Sequence, residues 1–166
     1  MRYRDLKGSA TIYGVRLPPI YRDGNDGKQF ERFVKWFLKR DPVWSTQVDK
    51  IWLWKEYPDR WHDDDQGIDL VFLDNVGDIW AVQAKCYAPQ YGIPRKEVDS
   101  FLTESNRKQI NKRLLIASTD LLGRNTRRVI EGQEKQVTTY LRSDFDRARL
   151  SYPATYKDLK SVEKRE

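Results

Sequence analysis

The chain has 166 residues, with 31 basic and 25 acidic side chains, a net charge of +6 and 21 aromatic residues. That length fits one domain with a real core, and the aromatic content excludes a disordered chain. One cysteine, Cys86, excludes a disulfide framework or a thiolate zinc cluster, and one histidine, His62, excludes a multi-histidine zinc site or a two-histidine phosphodiesterase. Hydrolytic chemistry would have to rest on carboxylates and a lysine. No apolar run is long enough to cross a bilayer and the first residues lack a signal-peptide core, so a cytoplasmic protein without membrane association is expected. Residues 1–83 carry 13 basic and 14 acidic groups, and residues 84–166 carry 18 and 11. An acidic edge facing a basic, polyanion-binding surface is one reading of that asymmetry; ordinary surface charge is the other.

Taken in chain order, residues 1–26 hold scattered Gly and Pro and are expected to form an extended arm. The spacing of Phe30, Phe33, Val34, Phe37 and Leu38 predicts a helix over 27–40, with Asp26 as N-cap, Pro42 beyond its end and Glu31 beside the apolar stripe. Residues 46–55 read as a strand. Residues 67–74 and 79–86 read as two strands joined by Asn75-Val76-Gly77-Asp78, a hairpin turn. A second helix is predicted over 95–106, an apolar central strand over 113–118, a basic helix over 124–132 and a last strand over 136–141, with a short helix from Ser143. The order is that of an α/β protein whose antiparallel meander leads into a β-α-β crossover, a mixed sheet with helices on both faces.

Gln83 and Lys85 are two residues apart on one strand and project to the same face. Asp69 lies on the neighbouring strand, and a turn centred near 76–77 would set it opposite residues 84–85. Most isolated patterns of this kind are solvent faces of half-buried strands. Here the strand is otherwise apolar (Ile79, Trp80, Ala81, Val82, Ala84), so a charge in it is unusual and Lys85 needs a carboxylate or phosphate partner. An acid, an amide oxygen and a lysine at strand ends suit metal-dependent phosphodiester hydrolysis, because a hard cation takes oxygen ligands.

Gly67-Ile68-Asp69-Leu70, the hairpin, and Val82-Gln83-Ala84-Lys85 together resemble the active-site motif of the PD-(D/E)xK nuclease superfamily. The Gln-x-Lys form and Asp65-Gln66-Gly67-Ile68-Asp69 resemble its Mrr-like branch. Residues 79–119 are similar to the N-terminal nuclease domain of type ISP restriction enzymes, with similarity running from about 27 to 150. The resemblance implies a restriction-endonuclease-like fold with an α-β-β-β-α-β core. It also implies catalytic roles for Asp69, Gln83, Lys85 and Glu31, and metal ligation by Asp69, Gln83 and the Ala84 carbonyl. Mg²⁺, or Mn²⁺ in its place, is the implied cofactor, and double-stranded DNA the implied substrate.

By the same resemblance, residues 27–150 would be the nuclease domain and 151–166 a charged tail that starts a linker to a translocase domain. A helicase-like translocase and methyltransferase or recognition domains would be covalently attached, and a second nuclease domain would be needed to cut both strands. Gln83 departs from the acidic pattern and predicts weaker metal binding. Asp65 is assigned a turn or support role. Asp63-Asp64-Asp65 reads chiefly as a solvated loop, His62 as a surface residue, and Cys86 as having no chemistry. Arg107, Lys108, Lys112, Arg113, Arg124, Arg127 and Arg128 are candidate phosphate contacts. Tyr87, Tyr91, Arg95 and Lys96 are expected near substrate, and Trp52, Trp54 and Trp80 in the core or at an interdomain surface. The competing readings are a silent nucleic-acid-binding module of the same fold, and a nuclease acting on RNA or on DNA junctions.

Overall fold

The computed structural model describes residues 26–64, 67–153 and 156–164. The expected arm, the capping side chain of Asp26 and the role of Asp65 lie outside the described residues. Helix α1 (Asp26–Arg40) is followed by strand β1 (Val48–Leu53), then the hairpin β2 (Leu70–Asp74) and β3 (Ile79–Lys85). Helix α2 (Arg95–Glu104) crosses to β4 (Lys112–Ala117), and α3 (Arg124–Glu131) crosses to β5 (Val137–Tyr140). Two further helices close the chain, α4 (Arg142–Arg147) and α5 (Tyr156–Lys164).

The five strands lie in chain order, antiparallel from β1 to β3 and parallel from β3 to β5. The expected mixed α/β sheet is therefore the observed one. Its two faces bury separate apolar sets. Phe30, Phe33, Val34, Phe37 and Leu38 of α1 pack with Leu70, Phe72, Trp80, Val82, Leu114 and Ile116 on one face, joined by Phe145 and Leu159. On the other, Val98, Phe101 and Leu102 of α2 and Ile130 of α3 cover Val71, Ala81 and Leu115. The central strand β4 is buried on both sides, as its continuous apolar run demands.

Strand β1 is shorter than its aromatic and β-branched content suggests. Short 3-10 turns flank it, Trp44–Thr46 before and Trp54–Glu56 after. The buried Asp41 carboxylate accepts the Val43 and Trp44 amides and so secures the first turn. Glu56 accepts the Leu53 amide across the second.

The end of the chain also departs from expectation. Residues 156–164, read as part of a charged tail, form α5, which packs against α1. Leu159 is fully buried there, and Glu163 pairs with Arg32 at 3.1 Å. Its apolar residues at helical spacing, Leu159 and Val162, explain the packing that a high charge density obscures.

The hairpin between β2 and β3 is held by a single carboxylate. Asp74 Oδ1 accepts the amides of Val76 (3.0 Å) and Asp78 (2.9 Å), and Oδ2 accepts the indole N–H of Trp80 (2.9 Å). Gly77 sits at φ 95° and donates to the Asp74 carbonyl, which closes the turn. Burial works against the charged form of Asp74, but these three donors and the nearby Lys112 outweigh it and hold its pKa below the ordinary 3.8.

A carboxylate depressed in the folded state stabilises above its unfolded pKa and loses that contribution as the pH falls through the folded value. Asp74→Ala is therefore expected to destabilise by about 2–4 kcal/mol at pH 7. The gap to wild type should narrow below about pH 4. Urea melts of both proteins at several pH values measure it.

Candidate active site

The register places the motif. Leu70 pairs with Val82 and Val71 with Ala81, where the ladder ends, and the Asp69 amide donates to that same Val82, so Asp69 lies beside the Leu70–Val82 pair. The sequence expectation had set it opposite 84–85. The difference arises because the turn is centred on Val76, with the Gly77 bend inside it. Gln83 and Lys85 project to the α2 side, where Glu97 meets both, whereas Asp69 reaches the Ala84 amide and lines a cavity with Glu31 of α1.

Asp69 is tied in by its main chain and side chain alike. Its amide donates to the Val82 carbonyl (2.9 Å), its carbonyl accepts the Trp54 amide (3.0 Å), and its Oδ2 accepts the Ala84 amide (2.8 Å). Upstream, Gly67 has φ 100°, and a Cβ there would lie 3.4 Å from the main chain of Ser100 and Phe101. The loop entering β2 is thus pressed onto α2, which limits where Asp69 can sit.

Gln83 is 1% exposed. Its Nε2 donates to the Glu97 carbonyl at 3.1 Å, and its Oε1 is buried with no hydrogen-bond partner. A carbonyl can only accept, so Glu97 fixes the orientation of the amide and leaves the oxygen directed elsewhere. A buried acceptor without a donor is costly, and a cation is one group that would satisfy it.

Lys85 Nζ lies 3.2 Å from Glu97 Oε1, and the same oxygen accepts the Tyr87 hydroxyl at 2.6 Å. Partial burial disfavours the Glu97 charge, but Tyr87 and Lys85 outweigh it and hold its pKa below the ordinary carboxylate range. Burial, together with the Glu97 carboxylate, pushes the Tyr87 phenol well above its usual range. Glu97 is the residue that sequence reasoning missed. The signal was present: a lysine on an apolar strand needs an acid, and in a β-α unit the first turn of the next helix rises beside the strand end. Glu97 is the acid in that first turn.

Glu31 and Asp69 line one cavity of about 530 Å³, together with Asp63, Asp64, Trp54, Lys28 and Arg32. Gln83 and Lys85 are not in its described lining. Among the described residues, no three His, Cys, Asp or Glu side chains converge to hold a metal by themselves. Neutral donors would have to complete an ion site. The Gln83 oxygen, orphaned one residue before the Ala84 amide that Asp69 accepts, fits that need.

The proposed phosphate contacts divide. Arg124, Arg127, Arg128 and Lys108 are exposed. Arg107 lies over the Trp61 ring at 4.5 Å and pairs with Glu104, which also accepts the Trp61 indole and sits 3.4 Å from His62. Lys112 pairs with Asp78 at 3.2 Å.

Arg113 is not a surface residue at all. It is fully buried, donating to the carbonyls of Leu102 and Lys135, to Gln133 Oε1 and to Ser105 Oγ. Its place at the start of a strand buried on both faces turns its side chain inward, where it ties the end of α2 to the α3–β5 connection. Trp54 and Trp80 are in the core, and Trp52 packs against it. Cys86 is half-buried against the α1-side core.

Removing Arg113 strands four acceptors. Arg113→Ala is expected to cost about 3–5 kcal/mol. If Arg113 were a surface phosphate contact instead, urea denaturation would show almost no change.

A family model described as restriction endonuclease matches residues 39–162. Among solved structures, the chain is similar to the ATP-dependent type ISP restriction-modification enzyme LlaBIII bound to DNA, with 27% identity and a TM-score of 0.65. The match covers 75% of this chain and 8% of that one, so the chain spans a small part of that enzyme's length. It also shares its fold with the DNA modification-dependent restriction endonuclease AspBHI (15% identity, TM-score 0.50, covering 86% of this chain and 35% of that one). No curated protein sequence matches.

Proposed function

Because the chain belongs to the restriction endonuclease family, we propose that it is a divalent-metal-dependent nuclease domain of the PD-(D/E)xK type that hydrolyses phosphodiester bonds of double-stranded DNA. The observation that carries this reading is the buried, unpartnered Oε1 of Gln83, next in the chain to Ala84, whose amide the Asp69 carboxylate accepts. Asp69, Gln83 Oε1 and the Ala84 carbonyl are the proposed ligands, and Glu31, which lines the same cavity as Asp69, would help hold the ion directly or through water. Mg²⁺ or Mn²⁺ held there would neutralise the scissile phosphate and lower the pKa of an attacking water.

The chain's own groups do the rest. Lys85 orients the attacking water and stabilises the charge that develops on the phosphorane. Glu97 holds the lysine at the strand end before substrate arrives, and a phosphate oxygen takes its place as partner on binding. The Glu97 main chain, through Gln83 Nε2, keeps the amide oxygen aimed away from α2. One helix turn therefore sets both the ligand and the lysine.

Cleavage by the domain itself is proposed to be independent of sequence, with site choice left to other parts of a larger protein. The small share of LlaBIII that the match covers supports that arrangement. A helicase-like translocase and methyltransferase or recognition domains are the proposed neighbours, and a second nuclease domain cuts the opposite strand.

Plasmid nicking in Mg²⁺ and Mn²⁺, over a range of protein concentrations, tests the reading. Lys85→Ala should lower the rate by about 10²–10³-fold or more while leaving the melting temperature nearly unchanged. Undiminished nicking would remove the lysine from the mechanism, and preferential cutting of RNA or branched DNA would reassign the substrate.

Gln83→Glu gives a second prediction. A carboxylate has no proton to give the Glu97 carbonyl, so the metal-free variant should be destabilised by about 1–3 kcal/mol. Divalent ions should raise its melting temperature more than that of wild type. An equal or smaller shift would mean that residue 83 is not a ligand.

A further inference from the structure

Four large apolar side chains stand out into solvent among the described residues: Val43, Val76, Tyr91 and Leu121. Two of them are neighbours. The Ile93 amide donates to the Leu121 carbonyl at 3.1 Å, and a Cβ on Gly92 would lie 3.4 Å from Leu121 Cβ, so the β3–α2 and β4–α3 loops touch there. Tyr91 is 60% exposed and Leu121 46%.

The two loops are bound into one unit. Ser118 Oγ accepts the Tyr87 amide and donates to the Tyr87 carbonyl, and Thr119 Oγ1 donates to the Pro89 carbonyl. The Ser118 amide donates to the Lys85 carbonyl, so the ridge starts at the proposed catalytic lysine. Its far side is basic. Arg124, Arg127 and Arg128 on α3 are exposed, and Arg127 reaches back to the Asp120 carbonyl at 3.2 Å. The acid in this loop is spent internally, because Asp120 Oδ1 accepts both the amide and the hydroxyl of Ser143.

We propose that this Tyr91–Leu121 ridge, flanked by Arg124 and Arg127, is the DNA-seating element of the domain: the apolar pair enters a groove beside the scissile phosphate while the arginines hold the flanking backbone. The inference rests on the duplex-DNA reading above and adds the surface that holds the duplex. An apolar wedge framed by cations suits a groove lined by phosphates. A second copy of the chain is a poor occupant, since it would bring the same positive charge. The ridge is already ordered by its hydrogen bonds, so little freedom is lost on docking. A wedge of this kind seats DNA without reading bases, in keeping with sequence-independent cleavage.

The test is fluorescence anisotropy of the 166-residue chain with a short blunt duplex in EDTA, across a salt series. The double variant Tyr91→Ser/Leu121→Ser should bind about tenfold or more weakly with an unchanged salt slope. Arg124→Ala and Arg127→Ala should each reduce the slope by about 1. Val43→Ser/Val76→Ser, at the opposite end of the sheet, should bind as wild type does.

Wild-type affinity in the Tyr91/Leu121 variant, with wild type itself binding, would overturn the ridge and leave the nuclease reading standing. No binding by wild type at low salt would overturn the duplex-DNA reading and the ridge with it.

Discussion

The Asp74 carboxylate, taken up by two turn amides and the Trp80 indole, sets the register between β2 and β3. Register is unforgiving in a strand pair, because a slip of one residue turns every side chain to the other face. With Leu73 opposite Ile79, the alternation runs unbroken to Leu70 opposite Val82, and the Asp69 carboxylate beyond it reaches the Ala84 amide. A slip of one would take Asp69 off the Ala84 amide while Gln83 and Lys85 stayed under α2. The chemistry at one end of the hairpin is thus decided by a polar clamp at the other, five residues of strand away.

From that register the site follows by ordinary packing. Helix α2 must cover Val71, Ala81 and Leu115, and in doing so it brings its first turn to the end of β3. There one residue serves twice: the Glu97 carbonyl takes Gln83 Nε2, and the Glu97 carboxylate takes Lys85 and Tyr87. The amide at position 83 fits this arrangement better than a carboxylate would, since only the amide offers a donor to α2 and an acceptor to the site at once. What reads in the sequence as a lost negative charge is, in the fold, a side chain that donates to α2 and keeps a buried acceptor without a partner.

Much of this was legible before any coordinates. The stripe from Phe30 to Leu38 and the apolar run in β4 gave the layers, and the Asn-Val-Gly-Asp turn gave the hairpin. Period-two alternation put Gln83 and Lys85 together. Asp69 was not placed by alternation, because the ladder ends at Leu70 and its hydrogen bonds to Val82 and Ala84 fix it instead.

Arg113 was misread because a basic residue at the head of a strand gives no local sign that four acceptors from distant segments will surround it. Helix α5 was misread because Leu159 and Val162 are sparse among charges, and only α1's exposed flank makes them a packing face. Glu97 could have been found by asking which acid the topology brings to a lysine that needs one.

The proposed nuclease activity turns on whether Asp69 and Gln83 hold the ion for phosphodiester hydrolysis. The most direct measurement is an anomalous-scattering crystal structure of the chain grown with Mn²⁺. The expected result is an anomalous peak within coordination distance of Gln83 Oε1 and an Asp69 carboxylate oxygen. A peak confined to Asp63 and Asp64, or none at saturating Mn²⁺, would contradict it.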